Sequence, residues 1–278
     1  MTLRLTILSI GLTFGLLELW RSPPRGRSGR QLAFDLLSSA AVGLVVSPLV
    51  ALTVSALLDV ASPSSRNALA DLPLWAAVGL FLVGDDLTQY LWHRASHSVP
   101  FLYTLHRAHH SARYMSVSMM YRNNVFYYAL MPSLWVSGAL VHAGLGAVYA
   151  GYLAVKLTVI AGAHSSVRWD ERLYRVRWLS HVMWVVERIV STPSTHAMHH
   201  GRHADDGVTH YAGNYGNLLF FWDVLFGTAR ITRRYPEAYG IENLAPESAT
   251  TELLWPLVPL RGEGRAAEAT TTLPDAAE

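Results

Sequence analysis

Four apolar runs, over residues 3–20, 32–58, 72–92 and 125–163, decide most of what this chain can become. Each is long enough to cross a hydrocarbon core of roughly 30 Å, which a helix of about 20 apolar residues spans. The first is almost free of charge until Glu18, and the second is interrupted by Asp35 near its start and by Pro48. The last has no acidic residue and only Lys156 as a fixed charge, which suits two helices hinged around residues 143–146. With 51% hydrophobic and 15% charged residues, the chain is too apolar for an ordinary soluble domain. The sequence therefore predicts an all-α integral membrane bundle of five spans, or of four and a re-entrant hairpin. The first run reads as a span or signal anchor, since no small-x-small cleavage site follows it.

Charge orients the bundle. Arg21, Arg25, Arg27 and Arg30 follow the first run, whereas residues 59–71 carry only Arg66 as a base. By the positive-inside rule the arginine loop is expected in the cytoplasm and 59–71 outside, so the third run returns to the cytoplasm at Trp92. The small net charge of +2, with no basic patch interleaved with aromatics, argues against nucleic acid. The absence of cysteine fits a chain that needs no disulfides. Residues 169–190 mix arginines with Trp178, Met183, Trp184 and Val185. They read either as a helix lying in the membrane interface or as a packed helix of a cytoplasmic cap. Residues 1–260 are expected to form a single domain, and 261–278, rich in Glu, Ala, Thr and Gly, a disordered tail.

Histidines begin where the third run ends. His93 and His97 form a pair, and His106, His109, His110 and His196, His199, His200 each read His-x-x-His-His. Residues three and four apart share a helix face, so each set can aim its imidazoles at one point. Neutral imidazole suits iron, zinc or copper, and three sets supply more nitrogens than one tetrahedral ion accepts. Two metals are therefore expected, on the same side of the membrane as the arginine loop. A carboxylate inside a span is costly, so Asp86, two turns before His93, is expected to have a partner and to support the histidines from behind. Its neighbour Asp85 is expected to serve Arg94 or to face water, and Asp223 and Asn214 to cap helices or to accept hydrogen bonds from the ligating histidines.

At these residues the chain resembles the fatty acid hydroxylase superfamily, which includes sterol desaturases and sterol C4-methyl oxidases. The likeness runs over residues 84–228. It is carried by D-x-x-x-Y-x-x-H-R-x-x-H from Asp86 to His97, H-R-A-H-H from His106 to His110, and A-H-S at His164. P-S-T-H-A-M-H-H ending at His200, N-Y-G from Asn214 and W-D-V-L-F-G-T from Trp222 complete it. The resemblance implies a helical cytoplasmic cap holding a histidine-rich non-haem di-iron centre. By motif position its ligands would be His93, His97, His106, His109, His110, His164, His196, His199 and His200. His142, His181, His203 and His210 fall outside the pattern.

Such a centre implies an O2-dependent hydroxylase or desaturase acting on a C–H bond of a lipid, sterol, carotenoid or other terpenoid. Its substrate would enter from the bilayer, and zinc could replace iron in a purified sample. The sequence has no flavin fingerprint, no P-loop and no cysteine for an iron–sulfur cluster, so electrons are expected from a separate carrier protein. Two other classes fit the same histidines: a zinc-dependent membrane hydrolase, active without O2, and a nonenzymatic metal-binding membrane protein.

Overall fold

A computed structural model describes residues 3–260, with side chains from Leu5 onward. The tail expected to be disordered, 261–278, lies outside the described residues. Among the described residues the fold is helical throughout, with no β-strand beyond two isolated bridges, Val190 to Leu219 and Gly201 to Tyr239.

Helix α1 is Leu3–Arg21, and α2 is Gly29–Ala61. A capping box at Ser28 starts α2: Ser28 Oγ accepts from Gln31 N, and Gln31 Oε1 accepts from Ser28 N. Pro48 has no N–H to donate, and the turn just before it, Val42–Val46, widens to π-helix without ending α2. Helix α3 covers 74–96 and also contains a π-helical turn, Leu82–Leu87, which holds Asp85 and Asp86. There Gly84 lets another helix cross closely, since a Cβ on it would lie 2.8 Å from Val136 Cγ1.

Two short helices follow, α4 (Pro100–His110) and α5 (Val125–Ala129), and then a helical hairpin of α6 (Pro132–Leu140) and α7 (Gly146–His164). The stretch Pro132–His164 has the length and hydropathy of one span, but Gly144 at φ 104° breaks it in two. Packing favours glycine there as well, because a Cβ would meet Ala70 Cβ at 2.9 Å. The hinge expected at 143–146 is thus present. Helix α6 is only nine residues long, short of what a bilayer requires.

The bundle has two ends. At one, His142 contacts Ser55 and Ser65, and Leu69 N donates to Ala143 O. At the other, Glu18 near the end of α1 accepts from Ser116 Oγ, Val117 N and Ser166 N, while Asp35 near the start of α2 accepts from Tyr114, Ser118 and Arg122. These buried acids tie the apolar helices to the polar segments that carry the histidines. They are satisfied in full, as a charge in an apolar setting must be. Arg27 joins the same end through Ser116 and Ser118, so the arginine loop and the histidines lie together.

Two helical stretches, Gly29–Ala61 and Pro132–His164, are long and apolar enough to cross a membrane by length and composition. On α2, Leu44 is 76% and Val60 85% exposed, an outward face suited to lipid rather than water. The remaining helices of the described residues lie at the histidine end: α8 (Trp169–Tyr174), α9 (Arg177–Ile189), α10 (Pro193–His199), α11 (Phe221–Phe226) and α12 (Ala249–Leu254). In α9, Met183 and Glu187 face inward while Trp178, Val182, Trp184 and Val185 are exposed.

Candidate metal centre

Histidines arrive at this end from four helices: His93 and His97 from α3 and its cap, His106, His109 and His110 from α4, His164 from the last residue of α7, and His196, His199 and His200 from α10 and its cap. Their nitrogens gather into two groups. One holds His93, His97, His106, His110 and His199, the other His109, His164, His196 and His200, and in each the ligand atoms lie within 4.8 Å of one another.

Both His-x-x-His-His motifs are divided between the groups. His106 and His110 go to the first group and His109 to the second, while His199 goes to the first and His196 and His200 to the second. Successive residues on a helix are turned by about 100°, so neighbours such as His109 and His110 point in different directions whereas residues four apart align. A helix running between two metal positions can therefore serve both.

The nitrogen spacing suits metal ions. In the first group Nε2 of His93 lies 3.0 Å from Nε2 of His199, and Nε2 of His106 lies 3.1 Å from Nε2 of His110. In the second, Nε2 of His196 is 2.9 Å from that of His164 and 3.1 Å from that of His200, with His109 and His164 at 3.4 Å. Metal–nitrogen bonds of about 2.1 Å would separate ligand atoms by about 3.0 Å in an octahedron and about 3.4 Å in a tetrahedron. His97 Nε2 is buried without a hydrogen-bond partner, as a nitrogen reserved for a metal would be.

Second nitrogens set the tautomers. Nδ1 of His93 donates to Tyr215 O at 2.7 Å, Nδ1 of His199 to Gly213 O at 2.7 Å, and Nδ1 of His164 to Ile160 O at 2.9 Å. Nδ1 of His106 donates to Asn123 Oδ1 at 3.0 Å. A carbonyl oxygen only accepts, so each Nδ1 carries the proton and each Nε2 keeps a lone pair. In the cap, burial first and neighbouring imidazoles second hold His106, His109, His110, His196 and His200 well below the ordinary histidine range. Burial, then the His93 imidazole, does the same for His199. Neutral imidazole is the form that binds metal. With nine histidines and no carboxylate in either group, the donor set fits iron, zinc or copper.

A short loop carries two of these carbonyls and is braced from both sides. Asp223 accepts from Tyr215 N, Gly216 N and Thr228 Oγ1, and Asn214 donates to Thr195 O and Arg230 O. Neither side chain caps a helix or accepts from an imidazole, the two roles expected from sequence; both hold residues 213–216 against the histidines. Asp86 accepts from Leu218 N, Leu219 N and Trp222 Nε1, so it meets the segment following that loop rather than an imidazole. Asp85 neither serves Arg94 nor faces water. It is buried and accepts from Tyr152 and Lys156, because the π turn directs it into the bundle.

Asn123, and Tyr127 stacked on His106 with ring centroids 4.7 Å apart, were not singled out from sequence. Their only local signal is an Asn pair before an apolar run, which is equally a helix cap; Asn124 does cap α5. His142 stands at the opposite end, His181 bonds its own helix at Arg177 O, His203 pairs with Glu242, and His210 contacts Thr228 O.

The fold and site together define a helical bundle whose one end gathers two histidine groups able to hold metal ions. The chain belongs to the fatty acid hydroxylase family, whose model matches residues 78–228. Among curated proteins it is 28% identical over 157 residues to alkylglycerol monooxygenase of Danio rerio and 30% identical over 162 residues to that of Homo sapiens. These matches take in 54% and 55% of this chain but only 29% and 30% of the relatives' own length. No solved structure matches significantly.

Proposed function

We propose that the chain is a lipid monooxygenase: an O2-dependent hydroxylase, or desaturase, that attacks a C–H bond of an apolar substrate drawn from the bilayer, using a non-haem di-iron centre. The observation that carries this reading is the convergence of nine imidazoles, eight of them buried and that of His97 half-buried, into two groups at one end of an apolar bundle. The relatives named alkylglycerol monooxygenase support a lipid as the substrate class.

His93, His97, His106, His110 and His199 would hold one ion, and His109, His164, His196 and His200 the other. Iron held there supplies the activation of O2 needed to remove hydrogen from an unactivated C–H bond. The chain's own residues do the rest. Carbonyls of Tyr215, Gly213 and Ile160 fix the imidazole tautomers, and the packing of Tyr127 and Tyr215 against the rings excludes water. Asp86 positions the segment after the Tyr215 loop and does not touch the reacting atoms. Electrons come from a separate carrier, and the domain spans 1–260 around a motif-bearing core at 84–228. Its histidine end, with the arginine loop beside it, faces the cytoplasm.

The test is elemental analysis of the purified chain, followed by O2 uptake with a chemical reductant and membrane lipid extract. Two irons per chain, lipid-stimulated O2 uptake and an oxygenated or unsaturated product by mass spectrometry are expected. His164→Ala should lower the metal content toward one ion. Zinc with no O2 uptake after iron reconstitution would overturn the proposal and favour a hydrolase or a metal-storing protein.

A further inference from the structure

Beside the metal centre lies a cavity of about 890 Å³ that the histidines do not line. Its rim is the arginine loop after α1 and the segment from Ser165 through α8, and its floor includes Ala163 and Ala197, which flank His164 and His196 in sequence. Tyr114, Tyr235 and Tyr239 form part of the wall.

The charge of this cavity is one-sided. Seven arginines and two glutamates line it, a surplus of five positive charges in a chain whose whole net charge is +2. Arg175 is held by Glu171 at 2.5 Å. The other six, Arg21, Arg25, Arg113, Arg168, Arg172 and Arg202, form no ion pair among the described residues. Arg202 Nε is buried without a hydrogen-bond partner. Like charges brought together around a concavity repel unless an anion sits among them.

Both chemistry and shape narrow the ligand. Guanidinium presents a planar fork of donors that matches phosphate oxygens two at a time. The volume falls within the roughly 300–1,000 Å³ typical of small-molecule sites, and the concavity is unlike the flatter face an acidic protein partner would need. We propose that this cavity binds a phosphate-bearing small molecule, either the headgroup of an anionic phospholipid or a soluble organic phosphate. The site is independent of which metal the histidines hold.

The experiment uses the full chain in phosphatidylcholine nanodiscs. Affinity for ADP, the soluble probe, is measured by calorimetry, and retention of phosphatidic acid, the lipid probe, by native mass spectrometry. Three variants are compared with the unaltered chain: Arg25→Gln on the exposed rim, the double variant Arg168→Gln/Arg202→Gln, and Arg188→Gln on α9 as a charge-matched control outside the cavity. Loss of one or two charged donors should weaken the bound probe by about tenfold in Arg25→Gln and more in the double variant, with Arg188→Gln unchanged. Such loss for ADP identifies a soluble ligand, and for phosphatidic acid a lipid headgroup. Neither probe binding, Arg25→Gln binding like the unaltered chain, or an equal loss in Arg188→Gln overturns the proposal.

Discussion

Nδ1 of His199 donates to the carbonyl oxygen of Gly213 across 2.7 Å, fixing an imidazole on α10 by a loop 14 residues further along the chain. Gly213 has no room for a side chain: a Cβ would stand 2.4 Å from Thr228 O, which is backbone and cannot swing away. Gly213→Ala should therefore push the loop off His199. Removing the support behind a ligating histidine commonly lowers metal affinity by about 10–100-fold. Metal titration of the purified variant measures this, and unchanged affinity would show that the carbonyl does not orient the ring.

Buried imidazoles also set a pH dependence. His106, His109, His110, His196, His199 and His200 lie below their ordinary value of 6.5 because burial disfavours the charged form. Below pH 6.5 the unfolded chain takes up protons that the folded chain refuses, so stability falls as pH falls. Each such histidine contributes a slope of up to about 1.4 kcal/mol per pH unit until its folded pKa is reached. Urea unfolding of the metal-free protein from pH 7.5 to 5 should show a decline that begins near 6.5. A flat profile across that range would contradict the buried neutral cluster.

Asp85 and Lys156 form a buried ion pair between α3 and α7, with Tyr152 Oη donating to Asp85 at 2.7 Å. Breaking it from one side strands a charge. Lys156→Met or Asp85→Leu alone should cost about 3–5 kcal/mol. The double variant should recover most of that loss, short of the Tyr152 hydroxyl left without its acceptor. A double-mutant cycle of thermal unfolding in detergent decides; additive losses would mean the pair is not coupled.

Because the chain has no cysteine, single thiols can report sidedness without background. Ser64, in the 62–71 segment, and Ser98, just after α3, are both exposed and belong to opposite ends of the bundle. In intact cells a membrane-impermeant maleimide should label Ser64→Cys and spare Ser98→Cys until the membrane is opened. The reverse pattern would place the histidine end outside.

The sequence by itself determined the helical class, the end of the bundle where the histidines gather and which histidines gather there. Those signals are local: apolar runs of a given length, charges that flank them, and imidazoles four apart on one helix face, as with His93 and His97 or His106 and His110. Tertiary structure decided how the nine histidines are shared. His109 and His110 are adjacent in the chain yet belong to different groups: the helix turns them apart, and packing decides which histidines of the other helices each one meets. It also decided the partners of the acids. The π turn in α3 sends Asp85 to Lys156 and Asp86 to the segment at 218–222, a change of phase that an ideal helical period cannot reveal. The carbonyls of Gly213 and Tyr215 were equally hidden, because every residue carries one and only packing chooses which of them meets an imidazole.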